Sequence, residues 1–290
     1  MSTAAQSVGV VVVTRDRRDH VLGSLEQLES LPSRPPVVLV DNGSADGTVE
    51  HVMSRFPAVA VIEAGRNMGA AGRNVGARAV DTPFVAFCDD DSWWAPESLG
   101  RAANLLERHP RLGLLAARIL VGPEERLDPA CEEMERSPLP RDEELPGLPV
   151  LGFVACGAVV RRDAFLAAGG FEERFSVGGE EQLLALDLAS AGWGLAYVPE
   201  VVAHHHPDLT HDRGVRPAVE IRNDLWSAWL RRPLRVALGA TFATARQALR
   251  SRAARAALND ALRGLPWALR RRRALPARVE RSARLLERAR

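Results

Sequence analysis

Three consecutive carboxylates, Asp89-Asp90-Asp91, close the apolar run Phe84-Val85-Ala86-Phe87-Cys88. Adjacent acids repel one another and lose solvation when enclosed, so they need a cation or solvent. A hard divalent ion, Mg²⁺ or Mn²⁺, answers that need, because it binds through one or two carboxylates and completes its shell with water and diphosphate oxygens. The competing reading is a helix start: Asp91-Ser92 precedes WWAPESLGRAANLLE, and Asp is favoured there. His204-His205-His206 ends a second apolar run. Side chains alternate along a strand, so one or two of the three at most can address a common site, where an imidazole can ligate metal or meet phosphate. Gly178-Gly179-Glu180-Glu181 opens a helical pattern whose start favours ionised carboxylates. One of the two glutamates can act as a general base; plain first-turn charge decoration is the alternative.

Two further segments carry binding chemistry. Asp41-Asn42-Gly43-Ser44 follows VVLV, where a carboxylate can accept from a nucleobase N–H or a ribose hydroxyl, or can simply hold an Asx turn. Gly65-Arg66-Asn67-Met68-Gly69-Ala70-Ala71-Gly72-Arg73-Asn74 combines small residues, which allow close backbone approach, with two guanidiniums able to reach phosphate. It is neither a Walker loop nor a dinucleotide fingerprint after a first strand, which argues against an oxidoreductase.

The elements that must position these residues are legible in outline. VGVVVV at 8–13 is a short β-branched run of the fully buried kind, and it ends at the polar turn TRDRRD. Val21, Leu22, Leu25 and Leu28 then recur at helical spacing, with Asp19 near the start, until the break PSRPP. VVLVD, TVEHVMSRF and VAVIEA continue the alternation. The pattern over 8–92 predicts a mostly parallel sheet whose crevice lies beyond the carboxyl ends of its strands, where Thr14, Asp41 and Asp89 to Asp91 all fall. Residues 121–149 are acidic and proline-rich and read as a long surface excursion. From 217 onward the pattern is helical, punctuated by Pro233, Gly239, Gly264, Pro266 and Pro276.

At 290 residues and 46% hydrophobic content the chain can bury a substantial core. Its three cysteines form neither a disulfide framework nor a zinc pattern and fit a reducing, cytoplasmic setting. No segment approaches the roughly 20 apolar residues of a membrane span. The net charge of +1 hides an asymmetry: residues 214–290 contain 19 Arg against five acids, and no lysine occurs anywhere. No stacking platform or nucleic-acid module accompanies the arginines, so the reading is no nucleic acid. Peripheral contact with an anionic membrane, or a solvated helix face, fits the tail.

In order, VVVVTRDR, VLVDNGSADGT, GRNMGAAGRNVGAR, VAFCDDDSWW, GGFEERFSVGGEEQLLALDLASAGW and YVPEVVAHHH resemble the motifs of family-two glycosyltransferases over about residues 8–230. IRNDLWSAWLRRP is similar to the family's stretch after the histidine. The resemblance implies a GT-A fold: a Rossmann-like, mostly parallel sheet flanked by helices, with a nucleotide-sugar-binding catalytic domain at 1–215 and an Arg-rich helical extension at 216–290. It implies a UDP- or dTDP-sugar donor bound by Thr14, Arg15, Asp41, Asn67, Gly69, Arg73, Asp89 and Asp90. It further implies a divalent metal, Mg²⁺ or Mn²⁺, held by Asp89, Asp91 and His205, and Glu181, or its neighbour Glu180, as base in an inverting transfer. A glycan, a lipid-linked sugar or a small molecule would be the acceptor, and a homodimer is open. Two departures stand out: the family's usual second acid is Asp where this chain has Glu181, and its Asp-Leu-x-x-x-Arg continuation is replaced by Leu183-Leu184-Ala185-Leu186-Asp187. A nucleotide-sugar-binding protein without transfer is therefore one alternative. A nucleotidyltransferase is another, against which the absence of lysine weighs.

Overall fold

The computed structural model describes residues 7–207 and 216–289. The elements run β1 (Val8–Thr14), α1 (Arg18–Glu29), β2 (Val37–Asp41), α2 (Thr48–Arg55), β3 (Ala60–Glu63), α3 (Gly72–Ala79), β4 (Phe84–Asp89), β5 (Ser92–Trp94) and α4 (Ser98–Arg108). They continue with β6 (Leu112–Val121), β7 (Arg126–Leu127), α5 (Pro129–Glu135), β8 (Leu148–Pro149), β9 (Ala158–Arg161), α6 (Arg162–Ala168), α7 (Glu180–Ser190) and β10 (Gly194–His205). Four helices complete the chain: α8 (Arg216–Arg231), α9 (Leu234–Ala248), α10 (Arg252–Arg270) and α11 (Ala277–Ala289). The domain boundary expected after residue 215 meets a stretch outside the described residues.

One sheet carries the core in the order β3-β2-β1-β4-β9-β6-β10-β5, with β7 beside β6 and β8 beside β10. Strands β3, β2, β1 and β4 are parallel, as the alternation predicted. Val8, Val10, Val11 and Val12 are fully buried, because helices cover both faces of a parallel sheet and leave no side chain of a central strand in water. The second half is mixed: β9 runs antiparallel to both β4 and β6, whereas β10 returns parallel to β6.

The register matters for function. Thr14 pairs with Asp41 and Val13 with Asp89, so the carboxyl ends of β1, β2 and β4 finish level with one another. At the other side of the sheet His205 pairs with Ser92 of β5, directly after the acid triplet.

Three expectations are corrected. Asp91 is not a helix cap, since β5 intervenes and α4 begins only at Ser98. The 121–149 excursion contains α5, which buries Cys131 and Met134, and the strand β8. Gly239, Gly264 and Pro266 lie inside helices rather than between them. Gly264 has a packing reason: a Cβ there would lie 2.5 Å from the Trp226 ring, so its absence lets α10 close onto α8. The resulting second apolar cluster joins Phe175 and Leu183 to Leu225, Trp226, Leu230, Ala261 and Ala268, seating the helical extension on the start of α7.

Candidate active site

The acid triplet sits where β4 ends, and each carboxylate has its own environment. Asp89 is paired with Arg73 of α3. Asp90 accepts from Thr14 Oγ1 at 3.0 Å and lies 3.1 Å from Arg17 Nε, while its carbonyl takes the Ser24 hydroxyl at 2.9 Å. Burial, reinforced by Asp91 and Asp89 and opposed by Arg17 and Thr14, pushes Asp90 up to about 7. Asp91 is 2.8 Å from Arg17 Nη2 and 3.3 Å from His205 Nε2. Burial would raise Asp91, yet the His205 and Arg17 contacts outweigh it and hold its carboxyl below the usual range. Burial likewise disfavours imidazolium at His205, but Asp91 overrides it and raises the ring's basicity.

Alternation along β10 sends the histidines to different neighbours. His205 turns to Asp91, whereas the His204 ring stacks on Trp93 and its Nδ1 lies 3.4 Å from Glu125; His206 meets the Trp93 ring edge-on.

The fold gathers one candidate metal group among the described residues, partly from side chains that were foreseen and partly from one that was not. Ligand atoms of Asp89, Cys156 and His205 lie within 4.8 Å of one another. Burial pushes the Cys156 thiol well above its ordinary pKa, so it stays neutral and is a poor partner for a hard cation. Within this group the Asp89 carboxylate and the His205 imidazole suit Mg²⁺ or Mn²⁺; Asp91, expected as a ligand, contacts His205 but is not one of the three.

Glu181 stands at the first turn of α7, its Oε1 accepting the Ala155 N–H at 2.8 Å. Burial first, then the adjacent Glu180 carboxylate, push Glu181 up to about 7. Arg73 is nearly buried and remains protonated against its desolvation because Asp89, Glu181 and Glu180 all face it. One guanidinium thus balances charge at both the acid triplet and the glutamate pair. Glu181 lines a cleft of about 770 Å³ whose walls include Met134 of α5, Phe153, Leu186 of α7 and Leu286 of α11.

The position of α7 depends on contacts from distant parts of the chain. Gly69 has φ +56°, and a Cβ on it would lie 2.3 Å from Ser176 O; in its absence Ala70 N–H donates to that carbonyl at 2.7 Å. From the other side the buried Asn223 of α8 donates to Phe175 O at 2.9 Å and Gly178 O at 2.5 Å. Asp187 forms a bidentate pair with Arg231, one contact of which is 2.8 Å. Asn223→Ala would leave buried carbonyls unsatisfied, an expected loss of about 1–3 kcal/mol in a denaturant melt. Turnover should fall with it while donor affinity holds; an unchanged melt and turnover would show that the loop holds itself.

The remaining expected donor contacts are placed as follows. Thr14 is committed to Asp90. Asp41 is buried, its Oδ2 holding an Asx turn with Gly43 and Ser44 N–H at 3.0 and 2.9 Å; its Oδ1 has no hydrogen-bond partner among the described residues and would be satisfied by a ligand N–H or O–H. Asn67 is exposed and caps Gly69 N–H at 2.8 Å. Arg15 is half exposed and 3.4 Å from Asp16. The arginine that reaches the carboxylates is Arg17, which sequence reasoning passed over. Both lie in the TRDR turn, and only the fold, with Asp16 at φ +52°, shows which one turns inward.

Carboxylates and a histidine gathered at the carboxyl ends of a half-parallel sheet, beside a carboxylate-lined cleft, define a glycosyltransferase of the GT-A fold. The profile described as glycosyl transferase family 2 matches residues 9–167, and the chain belongs to that family. It is a nucleotide-sugar-dependent glycosyltransferase. Among curated relatives, the N-acetylglucosaminyl-diphospho-decaprenol L-rhamnosyltransferase of Mycobacterium tuberculosis is 30% identical, over 81% of this chain and 90% of its own length. Among solved structures, S. aureus TarS in complex with UDP-GlcNAc has a TM-score of 0.62 at 18% identity, covering 94% of this chain and 82% of its own. The mannosyltransferase PcManGT of Pyrobaculum calidifontis, in complex with GDP-Man and Mn²⁺, has a TM-score of 0.55 at 19% identity, covering 98% and 74%. Among the described residues no helix is long and apolar enough to cross a membrane.

Proposed function

We propose that the protein transfers a sugar with inversion from a UDP- or dTDP-sugar to an acceptor hydroxyl, with Glu181 as the general base. The observation that carries this reading is the arrangement about Arg73: the cation balances Asp89 on one side and Glu181, in the wall of the cleft, on the other. Glu181 takes the proton of the acceptor hydroxyl as that oxygen bonds to the anomeric carbon. The carbon–phosphate oxygen bond breaks on the opposite face, and the nucleoside diphosphate departs. Oε1 is engaged by the Ala155 N–H, which leaves Oε2 for this task. Glu180 is more deeply buried and raises the basicity of its neighbour.

Asp89, Asp91 and His205 would hold Mg²⁺ or Mn²⁺. When bound, the ion stabilises negative charge growing on the departing diphosphate. Arg17 keeps Asp91 ionised for it, and Thr14 fixes Asp90 behind the ligands. Asp41 offers its unsatisfied Oδ1 to the nucleoside, and Arg73 adds positive charge beside the diphosphate. Asn67 and Gly69 act by shaping the loop that meets Ser176, and Arg15 lies at its rim. Residues 1–215 form the catalytic unit, with the extension supplying one wall of the acceptor cleft. The name of the mycobacterial relative makes a sugar on a diphospho-polyprenol the first acceptor to try.

Calorimetry of UDP and dTDP with and without Mn²⁺, on the wild type and on Asp91→Ala, tests the donor half. Binding that strengthens with Mn²⁺ should lose that dependence in the variant. A metal-dependent variant would remove Asp91 from the ligand set, and failure of both diphosphates would turn the search to GDP and CDP.

A further inference from the structure

The helix α9 presents an apolar face that none of the described residues covers. Leu234, Leu238 and Phe242, with Leu249 just past the end of the helix, range from 54% to 80% exposed. At 3.6 residues per turn, these four positions fall within an arc of about 80°. Arg235, Arg246 and Arg250 are exposed along one flank of that arc, and residues 234–250 contain no acid. An adjacent side, turned about 100° from that arc and carrying Ala237, Thr244 and Ala248, is buried against α8 and α10. The helix is therefore seated by small residues while its largest apolar side chains point to solvent, the reverse of what folding alone would select.

We infer that this face of α9 is a docking surface for an anionic lipid bilayer. An aromatic and three leucines lying beside arginines are the side chains of a helix that rests in the headgroup layer, where apolar groups enter the acyl boundary and guanidiniums meet phosphate. A second copy of the chain is a poorer occupant. A two-fold interface over this face would set the same three arginines against themselves with no acid on the helix to compensate. The inference does not depend on the donor chemistry or on the identity of the base.

The test is sedimentation of the full chain with phosphatidylcholine vesicles, with and without phosphatidylglycerol. Binding should require phosphatidylglycerol and weaken as salt screens the arginines. Leu238→Ser combined with Phe242→Ser should lower the vesicle partition coefficient about tenfold or more, since both side chains leave the acyl boundary. Both residues are exposed, so the melt and the calorimetric donor affinity of this variant should match the wild type. Arg235→Gln with Arg246→Gln should flatten the salt dependence. Equal partition into the two kinds of vesicle, or undiminished partition of the double serine variant, would overturn the inference. So would a dimer in sedimentation velocity that the serine substitutions dissolve, which would assign the face to a second copy.

Discussion

Glu181→Gln is expected to lower turnover by about 10²–10⁴ while leaving the affinity for UDP or dTDP within a factor of about two. The amide preserves size and still accepts the Ala155 N–H, so the first turn of α7 has no reason to move. What it cannot do is accept a proton. The pH dependence gives a second readout of the same group. With Glu181 pushed up to about 7 by burial and by Glu180, its carboxyl is half protonated near neutrality. The wild-type rate should therefore fall as pH drops through about 7, with the limb of a single proton, far above the range of an ordinary glutamate. In Glu181→Gln that limb should vanish from the residual activity. Retention of wild-type turnover by the variant would move the role to another group, and Glu180→Gln would be the next comparison. Loss of transfer with full donor binding is also the behaviour that separates a true catalytic base from a residue that merely shapes the pocket.

Arg73→Leu should have the largest effect on the folded state. It removes the charge that faces three carboxylates at once, leaving Glu181 and Glu180 enclosed without their common partner. Breaking a fully buried pair typically costs about 3–5 kcal/mol. Asp89 is 34% exposed and regains some hydration. A loss of about 2–3 kcal/mol is accordingly expected in a denaturant melt. The sign of the accompanying pH effect follows from the charge: Arg73 favours ionised Glu181, so its removal raises the pKa and moves the acid limb of the rate to higher pH. Donor affinity should fall as well, through the weakened Asp89 geometry. Lysine at this position would keep the charge without the planar fork and should recover part of the stability but little of the geometry. An unchanged melt together with an unchanged profile would show that another cation balances the site.

These effects depend on residues far apart in the chain. Asp89 and Glu181 are linked through Arg73, the loop before α7 is held by Gly69 on one side and Asn223 on the other, and the cleft is closed by α11. The extension is therefore part of the machinery's mounting, through Asn223 and through the Asp187–Arg231 pair. That pair also accounts for the altered helix after Glu181: Asp187, where the family-like continuation is missing, ties α7 to α8.

By itself the sequence determined the parallel half of the sheet, because continuous β-branched runs ending in polar turns can satisfy both their apolar side chains and their backbone only between layers of helices. It also determined which strand ends carry acids, since those residues are adjacent in the chain, and it identified His205 as one of a set of three. Tertiary structure alone decided the rest. Strand pairing and alternation turned His205, and not His204 or His206, to Asp91, and the turn at Asp16 brought Arg17 inward instead of Arg15. Packing showed that Gly69 makes room for a neighbouring carbonyl. The contacts of Asn223 and Cys156 with the site were not legible either, because each depends on segments brought together from more than 40 residues away. Local patterns record what a residue does to its own strand or helix; the electrostatics of a buried site depend on distances that only the closed fold sets.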